Sequence, residues 1–368
     1  MDREEELFYL IALSQIKGIG PAACRKLVQH FGNARNVFDN PDEVMTNFNF
    51  AYDVVSDIKN RTHFARASQE LDFIAKNNVS FLLFFEDDFP YRLNACSDAP
   101  PFLFYKGKNV FNPKYSIAVV GTRRATEYGL WATENIIDGL KNYPVQIISG
   151  LAFGIDICAH NQSIKNQMST LGVVAHGLNR IYPWQHAETA EKMQQNGAVV
   201  TEFLSGTEPE RENFPKRNRI ISGMADGVLV VESSEKGGSL ITAELAWSYN
   251  REVMAVPGSI FSDTSKGCNK LISRNKAMLV TSAEDIVEYM NFKPLETHEN
   301  TSAQLQIFGE LTEEEQTVVN AFPVNSEIFI DEIGEKTGFS PSKTAAILLN
   351  LELNGIVKSL PGKRYRLI

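Results

Sequence analysis

The sequence predicts an α/β protein centred on a doubly wound, mainly parallel sheet, with a smaller domain before and after it in the chain. Between residues 79 and 290, short β-branched apolar runs alternate with helical patterns. The runs are SIAVVG, VQIIS, TLGVVA, AVVTE, GVLVVES and EVMAVPG. Strands that are buried on both sheet faces have this nearly continuous apolar character. Because strand and helix alternate, residues 79–290 are predicted to form an extended Rossmann-like domain.

The first element, residues 1–78, is predicted to be a helical domain. Its clearest signal is IKGIGPAACRKLVQHFG at 16–32, where two glycines mark a turn and Pro21 suits the first position of the next helix. This pattern resembles a helix-hairpin-helix or SAM-like domain. Backbone N–H groups in such a turn can hold a phosphate without reading base sequence. A plain helical hairpin used for packing or protein contact is the alternative.

Three glycine-bearing turns mark the central domain. VVGTRRAT at 119–126 and SGLAFGID at 149–156 follow apolar runs, and KGGSLITAE covers 236–244. Each turn opens a helical pattern, so each is expected to aim free N–H groups and a positive helix end at the carboxyl edge of the sheet. Such an edge binds phosphates. The ligand is therefore either one nucleotide held several times or a strand of nucleotides.

The chain after the sheet is predicted to form a linker, residues 291–306, and a winged-helix domain, residues 307–368. The linker is polar and aperiodic. Three helical patterns follow it, and Thr312 and Asp331 are the expected N-caps of the first two. The final segment IVKSLPGKRYRLI is expected to form a strand hairpin.

The winged-helix domain is expected to contact protein, with duplex binding as the alternative. Its recognition helix offers Lys343 as a single base and also carries Glu352. Reading a major groove normally needs several Arg, Asn or Gln side chains. The remaining basic residues lie in the wing: Lys358, Lys363, Arg364 and Arg366.

The overall charge confines any nucleic-acid surface to a local patch. The chain of 368 residues contains 43% hydrophobic residues and has a formal net charge of −9. One dense basic stretch, RENFPKRNR at 211–219, contains three arginines and one lysine but a single acidic residue, Glu212. A solvated helix face would have the same composition, so this stretch alone assigns no function.

The sequence carries no signal for a membrane, a metal or a disulfide. It has no apolar run of about 18 residues, and its start, MDREEELF, lacks the basic region of a signal peptide. The protein is therefore expected in the cytoplasm. Its four cysteines lie far apart, without CxxC or Cys/His spacing. We expect reduced thiols, no metal and no cofactor.

No enzyme motif is complete in this sequence. The chain lacks GxxxxGK[ST], HExxH and GxSxG, and VVGTRRAT places two arginines where a dinucleotide fold keeps small residues. Asp156 and His160, four residues apart on one helix, could form an acid–base pair. The favoured interpretation is that they fix the preceding loop by hydrogen bonds. The protein is therefore predicted to be non-catalytic.

As a set, the motifs resemble the DprA/Smf family, the DNA-processing proteins of natural transformation. In order they are FPYRLNACSDAPPFLFYKG, VVGTRRATEYG, SGLAFGIDICAH, GLNRIYPWQH, FPKRNRIISGMADGVLVVES, GGSLITAELA, and VPGSI with GCNKLI. The resemblance covers about residues 89–281. The helical front and the winged-helix tail also follow the arrangement of that family.

The resemblance implies a single-stranded DNA-binding protein that forms a homodimer, protects incoming DNA and loads the RecA recombinase. Backbone N–H groups and basic side chains would meet phosphates, and Phe153 and Phe214 would either stack on bases or pack against the sheet. The residues that it assigns to single-stranded DNA are Gly121, Thr122, Arg123, Arg124, Gly150, Phe153, Gly154, Phe214, Lys216, Arg217, Asn218, Arg219, Gly238, Ser239 and Thr242.

Two positions depart from the family pattern. Phe153 stands where many members have a basic residue, so stacking would replace a charge contact there. Trp184 and Gln185 follow the YP segment, where some members have a lysine, and Arg180 is the residue that could compensate.

Two other function classes fit the same sequence. One is a Rossmann-type protein that cleaves or senses nucleotides, with Arg123 and Glu244 acting at a ribosyl bond. The other is a scaffold that binds only proteins. The basic run FPKRNR and the two flanking domains favour DNA binding over the nucleotide-cleaving class, whereas the scaffold predicts that the Rossmann-like domain alone has no affinity for oligonucleotides.

Overall fold

The protein was analysed as a computed structural model that divides into two compact units, Met1–Leu295 and Glu296–Ile368. The units are described separately below. The residues that the structure describes are 2–294, 312–322, 328–354, 356–360 and 362–367.

Six helices form the first part of the larger unit. They are α1 (Arg3–Ser14), α2 (Pro21–Phe31), α3 (Ala34–Asp39), α4 (Pro41–Phe48), α5 (Tyr52–Asn60) and α6 (Phe64–Lys76). Helix α2 starts at Pro21 with Gly20 as its N-cap, so the predicted helical hairpin is confirmed. In its turn, Gly18 has φ 102°, a conformation that favours glycine.

Among the described residues, nine strands form the central sheet. They are β1 (Ser80–Leu83), β2 (Phe102–Gly107), β3 (Tyr115–Val120), β4 (Val145–Ser149), β5 (Thr170–Val173), β6 (Ala198–Thr201), β7 (Gly227–Val230), β8 (Glu252–Ala255) and β9 (Met278–Leu279). Their order is β1-β2-β6-β5-β4-β3-β7-β8-β9. The strands from β6 to β9 in that order are parallel, and β2 and β1 extend the sheet in antiparallel pairs. The predicted mainly parallel sheet is confirmed.

The strand order reverses at β3. The chain passes from β3 through β4 and β5 to β6 on one side, then returns to β7, β8 and β9 on the other. In register, Ala118 of β3 is paired with Ile148 of β4 and with Val228 of β7. Doubly wound sheets bind ligands in the crevice at such a reversal, beyond the carboxyl ends of the strands.

Apolar cores cover both faces of this sheet. Ala118 and Val120 of β3 lie in one core, whereas Ile117 and Val119 lie in the other. This alternation is expected of a strand that is buried on both faces. The connecting helices are α7 (Tyr91–Asn94), α8 (Glu127–Gly139), α9 (Ile155–Lys165), a 3₁₀ turn (Trp184–His186), α10 (Ala187–Met193), α11 (Asn213–Met224), α12 (Gly238–Ser248), α13 (Lys266–Ser273) and α14 (Ala283–Tyr289).

The N-terminal helices share one of these cores with the sheet. Leu10 of α1 and Leu27 of α2 are fully buried in the same cluster as Phe104 of β2 and Val200 of β6. Their apolar faces therefore pack continuously with the sheet.

The smaller unit has a winged-helix arrangement. Its elements are α15 (Glu313–Asn320), β10 (Ile328–Phe329), α16 (Ile330–Thr337), α17 (Pro341–Leu353), β11 (Val357–Leu360) and β12 (Arg364–Leu367). Strands β11 and β12 form the predicted hairpin, and β10 pairs with β12. Of the predicted linker, residues 295–306 lie outside the described residues.

One predicted N-cap of this unit is confirmed and the other is wrong. Thr312 forms a capping box with Glu315, in which each side chain accepts the other residue's backbone N–H. Asp331 is not an N-cap, because β10 runs directly into α16 and leaves Phe329 in that position. Asp331 lies instead in the first helical turn, where its negative charge interacts favourably with the helix dipole.

Three observations concern membranes, thiols and metals. Across the parts of the chain that the structure describes, no helix is both long and apolar enough to span a bilayer. All four cysteines are buried and unpaired, and burial raises the pKa of the Cys24 and Cys268 thiols to about 12. The described residues also contain no group of three His, Cys, Asp or Glu side chains suited to a metal ion.

Candidate functional site

The glycine turns meet at the carboxyl edge of the sheet. One pocket of about 670 Å³ is lined by the turn after β3, the loop after β7 and the start of α12. The second turn contributes Ala152 and Asp156 to the wall of this pocket. This pocket lies where the strand order reverses between β3 and β7. The residues predicted from the sequence that line it are Gly121, Thr122, Arg123, Phe214, Arg217, Asn218, Gly238, Ser239 and Thr242.

The other predicted residues of these turns line two adjoining cavities. Arg124, Phe153 and Gly154 line a cavity of about 620 Å³. Gly150 lines a narrow cleft together with Phe153. Arg123 lies on the wall of both cavities and of the main pocket. We call these three spaces, which share Arg123, the edge groove.

Lys216 and Arg219 lie outside the edge groove. They line a separate pocket of about 410 Å³, which the hairpin residues Ile19–Pro21 also line. The guanidinium of Arg219 pairs with the Glu202 carboxylate and donates to the carbonyl of Asp98. The structure therefore does not bring these two predicted residues together with the glycine turns.

The helical repeat of α11 explains this division. Side chains that are three or four residues apart share a helix face. Phe214, Arg217 and Ile221 share the face that lines the edge groove. Lys216 and Arg219 share a different face. The basic run FPKRNR thus divides between two surfaces because it is helical throughout.

Arg123 is the exposed cation at the centre of the edge groove. Its guanidinium carbon lies 4.7 Å from the centre of the Phe214 ring, a favourable cation–π distance. Resting on the ring positions the guanidinium over the groove. A planar guanidinium with several donors suits a phosphate group.

Two further cations line the main pocket and were missing from the sequence-based site. Arg211 and Lys236 are both exposed on its wall. Arg211 belongs to the basic run and Lys236 directly precedes the third glycine turn, so both could have been found from the sequence. Together with Arg123 and Arg217 they outnumber Asp156, the one carboxylate that lines the main pocket. The groove is therefore locally positive in a chain whose net charge is −9.

Arg217 supports the groove from within the protein. The residue is 4% exposed, and its Nη1 donates to the carbonyl of Val173 at 2.9 Å. Burial lowers the pKa of Arg217 to about 10, while the nearby charge of Asp156 opposes that shift. A Cβ atom on Gly150 would lie 1.6 Å from Nη1, so the turn approaches the guanidinium as only glycine allows. The guanidinium of Arg217 therefore packs directly against that turn.

Asp156 occupies backbone amides of the second turn. Its Oδ2 accepts the N–H of Gly150 at 3.2 Å and of Ala152 at 3.4 Å. Burial raises the pKa of Asp156, and the positive charge of Arg217 opposes that rise. The interpretation that Asp156 fixes the preceding loop is confirmed. These two N–H groups already have an anionic partner, so they are not free for phosphate.

His160 takes no part in an acid–base pair with Asp156. Its Nδ1 lies 2.8 Å from Oγ1 of Thr170, and the residue is completely buried. Burial, and then the charge of Arg217, lower the pKa of His160 to about 3. The imidazole is therefore neutral, and the prediction that His160 also fixes the preceding loop is wrong, because its hydrogen-bond partner lies on β5.

Glu232 fixes the first glycine turn and was missed by the sequence analysis. Its carboxylate accepts the Thr126 N–H at 2.9 Å and the Thr126 hydroxyl at 2.6 Å. Its backbone carbonyl accepts the Thr122 N–H at 2.9 Å. A carboxylate directly after a buried strand, beside a glycine turn, is the signal that could have found it. Because the Thr122 N–H already has an acceptor, this turn could contact a phosphate through its arginine side chains but not through that N–H.

Gly154 joins the first and second turns. It has φ 77°, and a Cβ atom there would lie 2.2 Å from the carbonyl oxygen of Thr122. Conformation and contact both require glycine at this position. The role that the structure gives Gly154 is close packing of the two turns.

Glu244 does not join Arg123 in the groove. This residue, which the alternative nucleotide-cleaving function requires, is exposed on α12. Its neighbours Ile241 and Thr242 line the main pocket, whereas Glu244 is not among the lining residues. The geometry therefore gives no support to a site that combines Glu244 with Arg123.

Comparison with known proteins gives a consistent result. A family model described as DNA recombination-mediator protein A matches residues 80–291, and one described as the DprA winged helix domain matches residues 309–363. Protein Smf of Synechocystis sp. is 30% identical, with 98% of each chain covered. The solved structure of DNA processing protein A from Streptococcus pneumoniae superimposes with a TM-score of 0.65 and 32% identity, over 78% of this chain and 98% of that one.

A second solved structure is that of DNA processing protein A from Helicobacter pylori, described for its single-stranded DNA binding mode. It has a TM-score of 0.53 and 25% identity, over 58% of this chain and 97% of that one. The family-model matches, the full-length relative and both solved structures agree with the motifs quoted above. The chain belongs to the DNA recombination-mediator protein A family, which is the DprA/Smf family that its motifs resemble.

Proposed function

We propose that this protein binds single-stranded DNA along the edge groove without cleaving it. In this proposal it acts in the cytoplasm, protects DNA taken up during natural transformation and loads a RecA recombinase onto it. Family membership supports the recombination role, and the single-stranded DNA binding described for the Helicobacter pylori relative supports the ligand.

The observation that carries this proposal is the extent of the edge groove around Arg123. Three spaces share this arginine, and the two larger ones have volumes of about 670 and 620 Å³. A mononucleotide would need only one of the larger spaces, so two of them on either side of one exposed arginine favour a ligand with several phosphates. Exposed cations on the groove walls favour a polyanion.

The geometry also favours a non-catalytic function. The sequence suggested one acid–base pair, Asp156 and His160. In the structure, the two residues have different hydrogen-bond partners: Asp156 accepts from backbone amides, and His160 is hydrogen-bonded to Thr170. Glu244 lies outside the groove that contains Arg123. The groove therefore suits binding better than cleavage at a ribosyl bond.

The winged-helix domain is proposed to contact a protein partner. Lys343, the one base of its recognition helix α17, lies with Nζ 2.6 Å from Oε1 of Glu314. In the same helix, Glu352 accepts the backbone N–H of Ser359. A helix with its lysine paired to a carboxylate is poorly suited to reading a major groove. We propose the RecA recombinase as a partner of the protein.

The whole chain is expected to bind single strands more tightly than duplexes, with marked salt dependence. If Arg123, Arg211 and Lys236 each neutralise one phosphate, the slope of log affinity against log salt is about −2 for a single strand. Fluorescence anisotropy with labelled oligothymidylate and a duplex of equal length, across a salt series, measures both quantities. Equal or tighter duplex binding would contradict the proposed function.

The exposed edge of the sheet supports the proposed homodimer. Strand β9 pairs with β8, and among the described residues no strand pairs with its outer side. Met278 and Leu279 are each 43% exposed, and Trp247 is 57% exposed. Apolar side chains on an open edge strand favour pairing with another copy.

A Leu279→Lys variant is therefore expected to shift the protein from dimer to monomer. Charge on an edge strand opposes edge-to-edge association. Light scattering after size-exclusion chromatography gives the mass of each species. Tyr52→Lys, at a position that is 79% exposed in the N-terminal helices, is the matched control and should stay dimeric. A monomeric wild type, or a dimeric Leu279→Lys variant, would contradict this dimer face.

A further inference from the structure

The edge groove is bordered at Tyr182 by a segment that carries two exposed aromatic side chains. They belong to the segment between β5 and α10, where Tyr182 is 46% exposed and Trp184 is 75% exposed. Exposed aromatic side chains that border a binding groove are candidates for contact with a ligand. The segment is also well fixed, so this exposure does not result from a loose loop.

Two buried histidines hold the segment in place. His176 accepts the N–H of Tyr182 through Nε2 at 3.2 Å, and its Nδ1 donates to the carbonyl of Gly177 at 2.9 Å. Burial lowers the pKa of His176, which keeps the ring neutral and Nε2 able to accept. His186 donates from Nδ1 to the carbonyl of Leu151 at 2.8 Å, which attaches the segment to the second glycine turn.

The fixed segment continues the wall of the edge groove. Tyr182 and Pro183 line the same narrow cleft as Arg123 and Phe214. The ring centres of Tyr182 and Phe214 lie 6.4 Å apart, at an interplanar angle of 57°. Trp184 follows directly and begins the 3₁₀ turn Trp184–His186. The lining of the cleft therefore combines the cation of Arg123 with the aromatic rings of Phe214 and Tyr182.

We propose that Tyr182 and Trp184 form a stacking platform for unpaired bases of the strand whose phosphates lie against Arg123. This inference rests on the proposed function and deepens it. Proteins hold single strands by placing the backbone against cations and the bases against aromatic rings. Every base has a flat face, so the platform is indifferent to sequence. In a duplex the base faces are already stacked, so the platform selects unpaired DNA.

The direct test follows the emission of Trp184. Trp131→Phe and Trp247→Phe leave Trp184 as the one tryptophan, and Trp247→Phe keeps an aromatic ring at the proposed dimer face. The probe is an oligothymidylate of about 20 nucleotides, longer than the ~4–16 nucleotides that one compact site covers. An abasic oligomer of equal length is the control, because it keeps the phosphates and lacks the bases. We expect oligothymidylate to quench the emission and the abasic oligomer to leave it unchanged.

Affinity measurements test the same inference independently. Trp184→Ala should weaken oligothymidylate binding about tenfold, since one base–aromatic stack contributes about that factor. The salt slope should stay unchanged, because no phosphate contact is lost. Trp184→Phe should retain affinity within about threefold, because phenylalanine keeps a stacking face. Trp131→Ala, which removes an exposed tryptophan from α8, should have no effect.

Each contrary outcome has a distinct meaning. If labelled oligothymidylate saturates the protein and Trp184 emission does not change, the platform is wrong while the proposed function stands. Equal quenching by the abasic oligomer, or wild-type affinity in Trp184→Ala, also overturns the platform. If the wild type binds no oligonucleotide, the proposed function and the platform are both wrong.

Discussion

An Arg123→Ala variant is expected to bind oligothymidylate about 10 to 100 times more weakly than the wild type. A hydrogen bond to a charged group contributes about 1.5–3 kcal/mol, and about 1.4 kcal/mol corresponds to a factor of ten. Arg123 is exposed, rests on Phe214 and borders all three spaces of the edge groove. Loss of one phosphate contact should also make the salt slope shallower by about 0.7. Anisotropy across a salt series measures both effects.

Two control variants separate this contact from a change in overall charge. Arg35→Ala removes an equal charge from α3, where the exposed side chain pairs with Glu5 and Asp39. Its affinity should stay at the wild-type level. Lys216→Ala tests the prediction from the sequence that Lys216 also binds DNA. Because Lys216 lies outside the edge groove, we expect a smaller loss there than in Arg123→Ala.

The outcomes decide between two sites. Wild-type affinity and salt slope in Arg123→Ala would contradict the edge groove as the DNA site. A larger loss in Lys216→Ala than in Arg123→Ala would instead place the strand at the pocket beside the N-terminal hairpin. A measurable salt slope shows that the variant is folded, because an unfolded variant would not bind at any salt concentration.

The sheet and its glycine turns could be predicted from the sequence because their signals are local. A run such as SIAVVG needs no partner to indicate a strand that is buried on both faces. A glycine turn between a strand and a helix fixes which edge of the sheet it joins. These two signals were sufficient to predict that Gly121 and Gly238 lie at one site, and both line the main pocket.

The division of the basic run could not be predicted with the same certainty. Helical spacing shows that Arg217 and Lys216 point in different directions, but not which direction faces the groove. That choice depends on how α11 packs against the sheet, a contact distant in sequence. The structure turns Arg217 inward to Val173 and turns Lys216 toward the hairpin pocket.

The hydrogen bonds that Asp156 accepts from the second turn could not be predicted from local sequence signals either. The sequence predicts free N–H groups there, yet Asp156 from the following helix binds those of Gly150 and Ala152. This arrangement depends on the chain folding back at Gly154, where φ is 77°. Once the turn closes, the carboxylate takes the position that a phosphate would need. In the proposed function, the arginines around the groove are therefore expected to contribute more to DNA binding than the backbone of this turn does.

An Arg217→Ala variant is expected to lose about 3 kcal/mol of unfolding free energy. The guanidinium is buried and donates to the Val173 carbonyl, so its removal leaves that acceptor without this donor and opens a cavity. It also removes the positive charge that opposes the burial-driven rise in the Asp156 pKa. Removing one member of a buried charge pair is costly for this reason. Urea denaturation measures the loss, and Lys216→Ala on the exposed side of the same helix should change stability little.

The pH dependence of this loss identifies its electrostatic part. Without Arg217, the folded-state pKa of Asp156 should rise further above the unfolded value of about 3.9. A carboxyl whose folded pKa is raised contributes stability below its unfolded pKa, and that contribution is lost as pH rises through the folded pKa. The stability difference between wild type and Arg217→Ala should therefore grow from about pH 4 to pH 7. Adding Asp156→Asn should reduce the difference at pH 7, because no buried charge then remains unpaired. A difference independent of both pH and Asp156 would show that Arg217 acts only through packing and its bond to Val173.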